Sequence, residues 1–191
     1  MKAIILAIVL AIASTATMAQ LISENEKSTI LQMREEEKMS RDVYLTLNEK
    51  WNQKVFANTA ESESYHMTQV ELLIEKYKLE DPVAVNEDNR GLFSDNDLQV
   101  KYVDLVAAGS VSLQASFRTA AKVEEMDILD LRIAIANSTD KEITGTYNYL
   151  LHESESHLVA FVRNLDRLGI LYQPVILSKE DFNEIMNRKG I

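Results

Sequence analysis

The sequence predicts an all-α protein: a bundle of four long helices with a long crossover carrying a short helix, plus a short C-terminal helix. Three observations lead there. Gly and Pro number five and two in 191 residues, too few to punctuate a chain of many short strands. Apolar residues recur at i, i+3, i+4 along four long stretches, the period of a helix with one buried face. Residues suited to capping helix N-termini stand ahead of several of these stretches.

The chain opens with Lys2, an apolar run from Ala3 to Ile12, and small residues ending at Ala19. This is the layout of a secretory signal peptide, so residues 1–19 are expected to be removed and residues 20–191 to form one helical domain. The apolar run is short for a membrane span and a polar stretch follows it, so no membrane insertion is expected after cleavage. With no cysteine, neither a lipoprotein anchor nor a disulfide framework is available, and a periplasmic or secreted location is expected. The leader carries only Lys2 as a charge, so its loss takes the formal charge from −10 to −11. Such an acidic chain argues against nucleic acid and anionic membranes as partners and is compatible with attracting cations.

The first helix is marked by a capping box, Ser23 with Glu26, in which each side chain satisfies a backbone donor at the helix entrance. Its stripe runs Ile30, Met33, Glu37, Ser40, Tyr44, Leu47 and ends near residues 50–52. Glu35 and Glu36 fall on the solvated face. Glu37 lies on the core stripe, where it is either an inward carboxylate or a boundary acid paired with Arg41 at i+4. After a connection at 51–57, Asn58 and Glu61 repeat the capping arrangement and start the second helix. Its stripe is Glu63, His66, Met67, Val70, Leu73, Ile74, Tyr77, and it ends before Asp81-Pro82. A connection this short makes the first two helices an antiparallel pair.

Residues 82–94 are irregular, and a short helix is expected from Asp95 to Ala108 with Gly109 as its C-cap. This excursion is long enough to carry the chain from one end of a bundle to the other. The third long helix, 112–137, has the stripe Leu113, Phe117, Ala120, Glu124, Ile128, Leu131, Ile135, with Asp127 one turn beyond Glu124. The fourth, 140–168, is closed by Gly169 and has the stripe Tyr147, Leu150, Leu151, Ser154, His157, Leu158, Phe161, Leu165. His152 falls off that stripe and reads as a surface histidine. A last helix, 178–187, opens with Ser178 and Asp181 as a capping pair and is expected to pack over one bundle end.

Each long helix therefore aims ligand-type residues inward: Glu37, then Glu63 with His66, then Glu124, then His157. A carboxylate facing a core costs several kcal/mol unless it is paired or bound to a cation, by about 2–7 kcal/mol even for a neutral polar group. Glu-x-x-His on a helix is also the spacing that puts an oxygen and an imidazole nitrogen onto one cation. The separations within the two pairs are similar, Glu37 to His66 and Glu124 to His157, and ESES precedes both histidines (61–64 and 153–156). That echo suggests an internal two-fold repeat. Phosphate-binding glycine loops are absent, and no Cys or Ser-His-acid arrangement supports a nucleophilic hydrolase.

EEEKMSRDVY (35–44), SESYHM (62–67), VEEMDILDL (123–131) and SESHLVAF (154–161) resemble the DUF2202 domain family of the ferritin-like superfamily. Glu37 followed seven residues later by Tyr44 is also similar to the first metal helix of rubrerythrin-type proteins. The resemblance spans about 21–186. It implies a ferritin-like four-helix bundle in which Glu37, Glu63, His66, Glu124 and His157 occupy the di-metal ligand positions. Glu63 and a second acid, Glu124, would bridge, the histidines would be terminal donors, and Tyr44 and Tyr65 would stand behind the ligands. The departure is Ser154, where a second Glu-x-x-His would place its Glu; Glu153, Glu155 or Asp127 could complete the set. The function this implies is iron or manganese binding, with ferroxidase- or peroxidase-like activity of a di-metal oxidoreductase. Metal ions are the expected partners, and a homo-oligomer is compatible with them. The competing expectation is a non-enzymatic bundle whose inward acids and histidines form a polar network in a structural or partner-binding protein.

Overall fold

A computed structural model describes residues 22–86 and 88–190; the expected signal peptide at 1–19 lies outside them. Seven helices follow in order: α1 (Glu24–Trp51), α2 (Lys54–Tyr77), α3 (Pro82–Val85), α4 (Asn96–Gly109), α5 (Leu113–Asn137), α6 (Lys141–Arg167) and α7 (Lys179–Lys189). Every described helix except α2 begins where a side chain accepts a backbone N–H of its first turn: Ser23, Asp81, Asp95, Ser112, Asp140 and Ser178. Ser23 and Glu26 form the full capping box. None of the described helices is long and apolar enough to cross a membrane.

The long helices pair as α1 with α2 and α5 with α6, and the pairs meet through α1–α5 and α2–α6. Two apolar clusters fix the directions. One gathers the start of α1, the ends of α2 and α5 and the start of α6, through Ile30, Leu73, Leu131 and Ile143. The other gathers the end of α1, the starts of α2 and α5, the end of α6 and α7, through Tyr44, Phe56, Phe117, Phe161 and Ile185. Residues 78–112, with α3 and α4, therefore run from one end of the bundle to the other, as the length of the excursion predicted. Burial of these aliphatic and aromatic side chains, about 25 cal/mol per Å² of apolar surface, is what holds the four helices together. The C-terminal helix does more than cover an end, since Phe182, Ile185 and Met186 are built into the second cluster.

Three local expectations are corrected. Helix α2 starts at Lys54, four residues before Asn58, because Asn52 reverses the chain with left-handed backbone (φ 49°) and Phe56 must already be helical to stack on Phe117 and meet Phe161. Gly109 is the last residue of α4, capped by Ser110; a Cβ there would sit 2.7 Å from Leu47 Cδ2, so glycine serves helix–helix approach. Glu35 and Glu36 are buried, because the crossover packs on a second face of α1. Glu35 accepts the backbone N–H of Ser94 and Glu36 accepts from Gln32 at 2.9 Å.

That second face is a clasp. Lys38 Nζ donates to Asp42 Oδ2 at 2.7 Å and to the Asn89 carbonyl at 2.8 Å, and lies over the Phe93 ring. Asp42 also accepts the Gly91 N–H at 2.9 Å and the Arg41 guanidinium. Arg34 donates to both carboxylate oxygens of Asp81 and to the Met67 carbonyl. Arg41 thus pairs with Asp42 and Asp88, which leaves Glu37 to the interior.

Candidate metal centre

Between the two apolar clusters lies a buried polar layer, to which each long helix contributes at mid-length. On α1 it is Glu37, one turn after Met33 and two before Tyr44. On α2 it is Glu63 and His66, flanked by Ala60 and Val70; on α5 Glu124, and on α6 His157 with Ser154. Glu63, His66 and Glu124 are fully buried, Glu37 nearly so, and His157 is 9% exposed. All five sequence-predicted residues meet here. Glu63 is wholly shielded from solvent.

The geometry divides them into two trios that share Glu63. In one, His66 Nδ1 lies 2.6 Å from Glu63 Oε2 and 3.2 Å from Glu37 Oε2. In the other, His157 Nδ1 lies 3.0 Å from Glu63 Oε1 and 3.6 Å from Glu124 Oε2. One ligand atom from each member of a trio falls within 4.8 Å of the others. Glu63 thus presents a different oxygen to each histidine, the arrangement of a bridging carboxylate. Its two oxygens, Glu124 Oε2 and His157 Nδ1 are buried without a hydrogen-bond partner despite these short separations. They converge on shared points without the alignment of hydrogen bonds. The same atoms are ion-paired at these distances, so what sets the layer apart is the convergence of two trios on one carboxylate.

Electrostatics describes how the layer tolerates itself without a cation. Burial pushes Glu37 up to a pKa of about 8, against the pull of His66. Burial also raises Glu124, and it raises Asp127 well above its ordinary range with help from Glu37, Glu124 and Glu63. Glu63 responds in the opposite sense: burial opposes its charge, but His157 and His66 override that and hold it below the usual carboxylate range. Burial disfavours both imidazolium forms, yet Glu37 and Glu63 lift His66 to about 11, and Glu63 and Glu124 lift His157.

The residues that could stand in for a second Glu-x-x-His are elsewhere. Ser154 is buried and bonds back to the Leu150 carbonyl at 3.1 Å. Glu155 faces away and is held by Arg188 at 2.6 Å and Arg132 at 3.7 Å. Glu153 belongs to neither trio, and neither does Asp127, which accepts the Ser40 hydroxyl at 3.1 Å. Glu125 anchors the tail by accepting from Tyr172 and from the backbone N–H groups of 175–177. Glu124 belongs to one trio only, so the geometry offers a single bridge, Glu63.

Behind the ligands, Tyr44 donates its hydroxyl to Glu124 Oε1, fixing that carboxylate from the apolar side. Tyr65 is one step further out than expected: it is exposed and meets Tyr149 edge-on, and Tyr149 packs edge-on against His66 with centroids 5.9 Å apart, while the His157 ring stacks on His66 at 5.7 Å. Sequence reasoning missed Tyr149. It lies eight residues before His157, off the core stripe, and nothing local distinguishes it. His152 is a surface residue beside Lys189.

Comparison with known proteins gives one family and one close structural relative. The family model described as "Uncharacterized protein domain (DUF2202)" matches residues 26–189. An uncharacterized protein of Methanocaldococcus jannaschii, MJ0754, is 42% identical over 168 residues, covering 88% of this chain and 90% of that protein. Its crystal structure superposes with a TM-score of 0.85, covering 88% of this chain and 95% of the other.

Proposed function

We propose that this chain, which belongs to the DUF2202 family, is an exported metal-binding protein of ferritin-like type that holds two divalent cations inside its helical bundle. The observation that carries this reading is Glu63, whose two buried oxygens each face a different histidine, with Glu37 and Glu124 closing the two trios. Three carboxylates and two imidazoles suit Fe(II) or Mn(II) better than a soft ion, and there is no cysteine. The leader at 1–19 supports export to the periplasm or beyond.

Each residue has a part. Glu63 spans the two positions, Glu37 and His66 serve one, and Glu124 and His157 serve the other. Tyr44 orients Glu124, and the apolar clusters above and below exclude water. Iron or manganese held there would supply one-electron chemistry toward dioxygen or peroxide, the ferroxidase- or peroxidase-like activity of this class of site. The rival is a purely structural polar network. The position of Glu63, one oxygen toward each histidine at 2.6 and 3.0 Å without hydrogen-bond alignment, favours the metal reading over it.

Metal analysis after anaerobic reconstitution tests the assignment. Two Fe(II) or Mn(II) per chain are expected for the natural sequence, one for Glu37→Gln, and none for Glu63→Ala. Near-zero metal in all three would overturn it.

A further inference from the structure

Four of the five ligands are sealed within the bundle; His157 is the exception. It forms part of the wall of a cleft of about 750 Å³ between the first half of α2 and the second half of α6. The cleft contrasts with the rest of this acidic chain. Its walls carry Lys54, Arg167, Asn58, Ser62 and Asn164, and no Asp or Glu lines it among the described residues. Neither Lys54 nor Arg167 is engaged in an ion pair among them, and both side chains are exposed. A low-dielectric cleft lined by one sign of charge concentrates ions of the other sign. At the inner end stands the His157 ring, whose buried Nδ1 turns inward to Glu63 and Glu124.

We propose that the α2–α6 cleft is an anion-selecting entrance to the His157 half of the centre, admitting a small mono-anion of the size of azide or nitrite. This rests on the metal-centre reading for what the anion meets, but not for the selectivity of the cleft. It makes the two halves functionally unequal: the Glu37–His66 side is closed, and the His157 side receives exogenous ligands.

The absence of cysteine allows a test with a single introduced thiol. Ala160, on the α6 wall of the cleft, becomes Ala160→Cys, with Ser62→Cys on the opposite wall as the second reporter should the first fail to fold. Thiol modification by a sulfonate-bearing methanethiosulfonate is expected to outpace that by a trimethylammonium-bearing one about 10-fold or more, after correction for their reactivity toward free thiol. Adding Lys54→Glu and Arg167→Glu should reverse the preference. This arm is read on metal-free protein. In the second arm, azide is titrated into Co(II)-loaded Ala160→Cys and the visible cobalt bands are followed. A spectral change that disappears once the thiol carries the sulfonate supports the entrance. Equal rates for the two reagents, no labelling at either position, or an azide response unaffected by the adduct would each overturn it. Failure of cobalt to bind with the labelling preference intact would instead strike the metal reading alone.

Discussion

Helix α1 carries buried charge on two faces, and the two faces handle it differently. Toward the crossover, Lys38 and Asp42 are both fully buried and bonded to each other, with the Asn89 carbonyl and Gly91 N–H occupying further positions. Toward the bundle, Glu37 meets a layer in which the oxygens of Glu63, one oxygen of Glu124 and a nitrogen of His157 lie close together yet unbonded. Both faces are polar and dry. The difference lies in satisfaction: the clasp is complete as it stands, and the centre is not. Buried charge that is fully bonded specifies how a crossover docks. Buried charge that converges without aligned hydrogen bonds is what the metal proposal rests on.

The largest expected effect tests the clasp. Asp42→Ala strips the partner from a fully buried ammonium, and breaking a buried pair by removing one partner costs about 3–5 kcal/mol. Chemical denaturation of the metal-free variant should show that loss, while folded variant still binds metal at the natural stoichiometry. A loss below about 1 kcal/mol would mean that the clasp behaves as a surface pair and the contrast between the faces fails.

Next in size is the response of the centre to what it lacks on this reading. A cation at 100 times its Kd adds about 2.7 kcal/mol, and for a domain of this size each kcal/mol shifts Tm by roughly 2–4 °C. Manganese(II) should therefore raise Tm by about 5–10 °C, and chelator should return it. Binding must displace the protons that Glu37 and His66 hold up to about 8 and 11. The gain should accordingly grow as pH rises from 6 toward 8. A melting temperature indifferent to both chelator and pH would leave the layer a structural network.

The contrast between the faces also explains what the sequence could say. Caps at Ser23, Ser112, Asp140 and Ser178 are local, and so were the helix starts they mark. Helix α2 lacks such a cap, and its start follows from Phe56 seeking Phe117 and Phe161, a contact made across the bundle. The five residues of the buried layer were legible because an acid or imidazole on an apolar stripe is conspicuous. Their division into two trios was not, since which oxygen of Glu63 faces which histidine depends on rotamers and on the register of α2 against α6. The clasp was misread altogether. Periodicity places Glu35 and Glu36 on the solvated face and gives no reading of Lys38, and only the return of the crossover over α1 buries them. A single-stripe reading assumes one buried face, and α1 has two.

The smallest effect is the sharpest discriminator between the faces. Glu37→Gln keeps the shape of the side chain and removes a charge that burial already disfavours. Since the pKa of Glu37 is raised in the folded state, its contribution to stability is complete below the ordinary glutamate range and is lost as pH climbs through about 8. The variant lacks that decline. At pH 7.5 its metal-free stability should lie within about 1 kcal/mol of the natural protein, and its stability should fall less between pH 5 and 8. One of the two cations should be lost at the same time. A carboxylate belonging to a satisfied network would behave the other way, costing stability and leaving metal untouched. If Glu37→Gln destabilised the metal-free protein as much as Asp42→Ala, the bundle layer would have to be regarded as a second clasp.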